Sequence, residues 1–177
     1  MIFKKFSLAT TLLTAIALAV MITAPLVPEA RAQNIRTPNP ITVTAATRVL
    51  KVTECGSNVY LNAATGITVT LPAPATGILG CTFNVIADVS VSSANYKVIT
   101  NAGTVFLLGA VSHSASGIAP LDFYADGAAT VSINMDGAHL GGLKGTYLTF
   151  TLATTTLWAV TGKNLCTATC TTAFATS

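Results

Sequence analysis

The chain has 177 residues, of which 51% are hydrophobic and only 8% charged, with a formal net charge of +3. Its cations Arg36, Arg48, Lys51, Lys97, Lys144 and Lys163 are scattered singly, so there is no positive stripe of the kind a phosphate backbone requires, and nucleic acid is excluded as an expected partner. An ordinary domain is about 25% charged. This exterior must therefore be dressed with Thr, Ser, Asn, Gly and Ala, and it repels copies of itself weakly.

The chain opens as a secretory signal. Lys4 and Lys5 precede an apolar stretch from Phe6 to Val27, and Ala30-Arg31-Ala32 places small residues where a signal peptidase reads. An uncleaved anchor is the competing reading, because about 20 apolar residues can span a bilayer. Pro25 and Pro28 favour cleavage after Ala32, since they break the helix just ahead of that site. No cysteine follows it to carry a lipid. Removal of residues 1–32 leaves a nearly neutral chain of single-domain length, expected outside the cell or at its surface with no membrane attachment.

Gln33, Asn34, Ile35, Arg36, Thr37, Pro38, Asn39 and Pro40 lack any apolar period and read as a flexible N-terminal arm. One domain is then expected over 41–177. Alternation begins at Ile41, Val43 and Ala45 and resumes around Val49 to Val52. Asn58 to Asn62 and Ile67 to Leu71 form two further strands, separated by Ala64-Thr65-Gly66 and ended by Pro72 and Pro74. Cys81 to Ile86 alternates cleanly, with Ala87 to Val91 as its extension or a new strand. Lys97 to Thr100, Val105 to Val111, Leu121 to Tyr124, Thr130 to Met135 and Tyr147 to Val160 follow, bounded by Asn101-Ala102-Gly103, Asp126-Gly127 and Asp136-Gly137.

Eight to ten short strands with turns every 8–12 residues point to an all-β, antiparallel, jelly-roll-like β-sandwich. A parallel α/β sheet would need long crossover helices. No residues match at a fixed period, which disfavours a solenoid or propeller.

Cys55, Cys81, Cys166 and Cys170 in an exported chain imply two disulfides, with three connectivities open. Cys55 with Cys81 and Cys166 with Cys170 are favoured. The first closes a loop around the 58–74 hairpin, worth roughly 3–4 kcal/mol in the loop-entropy model. The second requires the chain to turn, because four extended residues separate α-carbons by about 13 Å against a limit near 7 Å. It makes a stapled C-terminal loop. A zinc site is the competing reading of such close cysteines.

His113 lies between Ser112 and Ser114, and Asp122 or Asp126 would complete a hydrolytic triad. Neither serine sits in a nucleophile-elbow pattern, so the three read as a polar loop, as does His139 beside Gly141 and Gly142. Asp122, Asp126 and Asp136 suit calcium by ligand type, but an aspartate before glycine is the usual turn residue. No catalytic residue, metal or cofactor is therefore assigned. Trp158, with Leu157 and Val160, is expected to anchor the core or an interface.

Val59-Tyr60-Leu61-Asn62-Ala63-Ala64-Thr65-Gly66, then Ile67-Thr68-Val69-Thr70-Leu71-Pro72-Ala73, Gly77 and Phe83-Asn84-Val85-Ile86 resemble β-sandwich modules of tailed-bacteriophage virion proteins, of the head-decoration and tail-fibre kind. Leu157-Trp158-Ala159-Val160-Thr161-Gly162 is similar to the last strand of such modules. The resemblance implies a non-enzymatic subunit, often trimeric, attached to a larger assembly. The same fold, exported, suits an extracellular filament or surface layer. Two functions are thus expected: a secreted structural subunit that assembles with itself or decorates a surface structure, or an adhesin or carbohydrate-binding module.

Overall fold

Period-two alternation turns this chain into strands wherever one face can be buried, and the computed structural model describes residues 40–176. The expected signal, and the expected arm apart from Pro40, lie outside the described residues. The strands are β1 (Ile41–Val43), β2 (Thr47–Val49), β3 (Asn58–Leu61), β4 (Thr68–Thr70), β5 (Thr82–Ala87) and β6 (Tyr96–Ile99), then β7 (Phe106–Ser114), β8 (Leu121–Asp126), β9 (Ser132–Met135), β10 (Tyr147–Thr154), β11 (Leu157–Leu165) and β12 (Phe174–Ala175). Two single turns of 3-10 helix, Val52–Glu54 and Thr76–Ile78, are the only helical elements among the described residues. No helix there is long and apolar enough to cross a membrane.

The strands form a seven-stranded sheet, ordered β1-β3-β5-β10-β11-β7-β8, and a five-stranded sheet, ordered β12-β9-β6-β4-β2. From β1 to β6 the chain changes sheet at every connection. Consequently β1, β3 and β5 lie side by side and parallel in one sheet, while β2, β4 and β6 do so in the other. The expected antiparallel, jelly-roll-like pairing gives way to mixed sheets. Parallel neighbours need a crossover, and here a strand of the opposite sheet supplies it in place of a helix.

That winding resembles a short solenoid, a form the sequence reading disfavoured for want of a period. Ile41 lies opposite Val59 and Val59 opposite Val85, whereas Thr47 lies opposite Thr68 and Thr68 opposite Lys97. The steps are unequal, so no repeat shows. The second half pairs differently: β10 is antiparallel to β5 and β11, and β11 is parallel to β7.

Other departures have local causes. The expected strand from Tyr147 to Val160 is a hairpin, turned where Thr154 Oγ1 accepts the Thr156 N–H at 3.2 Å. Threonines, favoured in strands, disguised that turn. Residues 88–91 leave the sheet after β5, which Ala87 closes, and Val52, expected in a strand, begins a 3-10 turn. β12 was not anticipated, because two residues carry no period.

One buried cluster draws on both sheets, as in a sandwich. The larger contributes Val59, Leu61, Phe83, Val85, Leu107, Leu148, Phe150, Trp158 and Val160, the smaller Val69, Tyr96, Val98, Ile133 and Met135. Tyr96 keeps its hydroxyl satisfied by donating to the Val89 carbonyl at 2.8 Å. Trp158 is fully buried, 6.1 Å from Phe83 between ring centroids, and its indole N–H has no hydrogen-bond partner. It serves as a core residue.

Trp158→Ala is expected to cost about 3–5 kcal/mol. Trp158→Phe should cost less than half as much, because it also removes a buried donor left unpaired. Urea unfolding followed by circular dichroism compares the two.

Candidate functional site

Both cysteine pairs favoured from the sequence lie at disulfide distance. Cys55 and Cys81 have α-carbons 5.2 Å apart and tie the connection after β2 to the start of β5. Cys166 and Cys170, 5.9 Å apart, close the loop after β11. Thr167, Ala168 and Thr169 between them are exposed, while both cysteines are buried.

The second pair has company. His113, expected in a polar loop, lies in β7 and is 1% exposed. The parallel register sets His113 opposite Asn164, and inner-facing residues of neighbouring strands meet on one side of a sheet. His113 Nδ1 lies 3.9 Å from Cys166 Sγ, and its Nε2 lies 3.5 Å from Asn164 Nδ2. The ring packs edge-on against Phe123 at 4.7 Å. Burial without a compensating charge lowers the His113 pKa to about 4.

Asn164, fully buried, orients the cluster. Its Oδ1 accepts from the Gly142 N–H at 2.9 Å and the Thr146 hydroxyl at 3.3 Å, and its Nδ2 donates to the Leu140 carbonyl at 2.7 Å. Gly141 permits this close approach, since a β-carbon there would run into the amide. No spacing in the sequence marks Asn164. Only the β7–β11 register brings it to His113.

His113, Cys166 and Cys170 are the only group of three or more such ligand residues gathered among the described residues, their ligand atoms all within 4.8 Å. Asp126 and Asp136 serve turns. Asp126 Oδ1 accepts the Ala128 N–H at 2.9 Å, and Asp136 Oδ1 accepts those of Ala138 and Leu140, both at 2.8 Å. Ser112 and Ser114 flank His113 on one strand and so point to the opposite face. His139 is exposed, with Nδ1 2.8 Å from the Thr169 carbonyl.

A second feature lies at the sheet edges. β1 ends the larger sheet and β2 the smaller, and these consecutive strands line an open concavity of about 270 Å³ formed by Ile41 to Ala45, Thr47 and Arg48. At the opposite edges β8 adjoins β12. Arg48 is ion-paired with Glu54, and the β2 residue Val49 is 63% exposed.

The outer face of the larger sheet is a third. Asn58, Asn84 and Thr149 form one side-chain ladder, Asn84 Nδ2 donating to Asn58 Oδ1 and Thr149 Oγ1 to Asn84 Oδ1, both at 2.9 Å. The adjoining row runs Tyr60, Ile86, Tyr147, Lys163. Tyr124 on β8 is 79% exposed.

The His113 environment has a sign that can be measured. Its folded pKa lies below the unfolded value near 6.5, so between the two only the unfolded chain takes up the proton. Stability from this group is complete above pH 6.5 and is expected to fall by about 3 kcal/mol as the pH drops to 4. Urea midpoints across that range should flatten in His113→Phe.

No protein-family model matches this chain, and no curated protein or solved structure is significantly similar to it.

Proposed function

We propose that this protein is a secreted, non-enzymatic, sandwich-like structural subunit that assembles with copies of itself, or onto a larger surface structure, through the open edge of β1 and β2. The carrying observation is that two edge strands, each with a neighbour on one side only among the described residues, lie consecutively in the chain and line one concavity. An exposed edge is a template for pairing with another chain, and proteins that stay apart guard it with charge or proline. Here the one cation of β2 is neutralised by Glu54, and Val49 stands exposed. The scarcity of charge lowers the desolvation cost of covering such a surface. Both cysteine pairs at disulfide distance are compatible with export.

The arm 33–40 precedes β1 directly and is of a length to add a strand to a neighbour, as donated strands do. Open filaments and closed particles are both built by repeating one subunit contact. The likeness to phage decoration modules supports the same class of role.

The exposed tyrosines favour a second reading, a carbohydrate-binding module. Tyr147, 52% exposed, stands on the outer face of the larger sheet beside a row of amides and hydroxyls, with Tyr124, 79% exposed, on the same face three strands beyond β10, and rings with hydrogen-bonding neighbours are what a neutral sugar needs.

Light scattering on mature protein separated by size is expected to show oligomers, and the double variant Thr47→Lys, Val49→Lys should be a folded monomer. Deletion of 33–40 should weaken assembly. A monomeric wild type that binds one class of glycan saturably, with binding lost in Tyr147→Ala, would instead establish the second reading.

A further inference from the structure

The hydrogen bonds around Asn164 assign a tautomer to His113. Asn164 Oδ1 is taken up by the Gly142 N–H and the Thr146 hydroxyl, and one hydrogen of Nδ2 goes to the Leu140 carbonyl. The amide cannot be reversed without setting its NH₂ against the Gly142 N–H. The remaining Nδ2 hydrogen therefore faces His113 Nε2, 3.5 Å away, which must present its lone pair. The ring proton of neutral His113 then sits on Nδ1, directed at Cys166 Sγ at 3.9 Å.

The two sulfurs differ in their surroundings. Cys166 continues from β11, its N–H donating to the Ser114 carbonyl at 2.9 Å, and it faces the imidazole. Cys170 is as buried as Cys166, 5% against 4% exposed, with its Sγ 3.7 Å from the Ala168 carbonyl, and only its flanking residues 167–169, 171 and 172 are exposed. A disulfide whose reduced form is stabilised is the more readily reduced.

We propose that Cys166–Cys170 is a thiol–disulfide exchange site for a small thiol, with Cys170 the attacked sulfur and Cys166 the leaving sulfur held by His113. An incoming thiolate bonds to Cys170 Sγ as the S–S bond breaks, and the electron pair leaves on Cys166, whose thiolate accepts the hydrogen bond from His113 Nδ1–H. The product is a mixed disulfide at Cys170. With a dithiol, its second sulfur, as thiolate, displaces Cys170, which takes up a proton. The dithiol ends as a cyclic disulfide and the protein gains two electrons. Cys55–Cys81 stays intact as the structural link. This role is independent of assembly through β1 and β2.

A metal site built from the same three residues is the competing arrangement, and the tautomer opposes it. Nδ1 would have to carry the lone pair, which places an Nε2–H against the Asn164 Nδ2 donor.

The experiment equilibrates folded, oxidised mature protein with graded dithiothreitol and reads each disulfide by alkylation and peptide mass spectrometry. Cys166–Cys170 is expected to open at a dithiol concentration at least tenfold below that required by Cys55–Cys81. A glutathione pulse should place the tripeptide on Cys170 and the alkylating label on Cys166. His113→Phe, which keeps a ring against Phe123, should narrow the tenfold gap and erase the preference for Cys170. Should that variant fail to fold, nitrogen NMR of the wild-type imidazole reads the tautomer directly, and Nδ1–H is expected. Equal reducibility of the two disulfides, glutathione on Cys166, an Nε2–H tautomer, or stoichiometric Zn²⁺ bound by the reduced protein through His113 would each overturn the proposal.

Discussion

The described fold depends on one shared core: the central strands send alternate side chains inward, and two sheets must bury them against each other. The constraint is severe because a strand shifted by one residue exposes its whole apolar set. It is met by Phe83, Val85, Phe150, Trp158 and Val160 from one sheet and Val69, Tyr96, Val98 and Ile133 from the other. The parallel winding of the first half follows from it. A chain that changes sheet at each connection sends successive strands to opposite sides of a common interior, and no helix is needed to carry it back.

The strands were legible where alternation was unbroken, as in Cys81 to Ile86, and so were turns where an aspartate precedes glycine. Their partners were not. Pairing is a long-range property, and the unequal steps from Ile41 to Val59 to Val85 leave no trace that a periodicity argument can use. Threonine hid the 154–156 turn because its β-branched side chain argues for strand while its hydroxyl caps a turn locally.

The buried cluster shows the same limit more sharply. Polar neighbours made His113 look like a loop residue, yet those serines face the other way, and the imidazole sits inside on the strand's inner row. Asn164 is invisible in sequence. Its role comes from a cross-strand register joining β7 and β11, two strands separated in the chain by β8, β9 and β10. Cys166 was read for its spacing to Cys170 alone, whereas its chemistry is set by the ring beside it. A cysteine pair and a histidine far apart in sequence become a single chemical unit only through that register.

The two ends of the sheet pair are unlike: β1 and β2 at one, β8 beside β12 at the other. The molecule is thereby polar along the direction of its ladders, and polarity governs how far association can run. Copies that join like end to like end exhaust the edge and stop at two, with a twofold axis between them. Copies that set the open end against any different surface leave a fresh edge at every addition, so growth closes only if the rotation per step returns on itself.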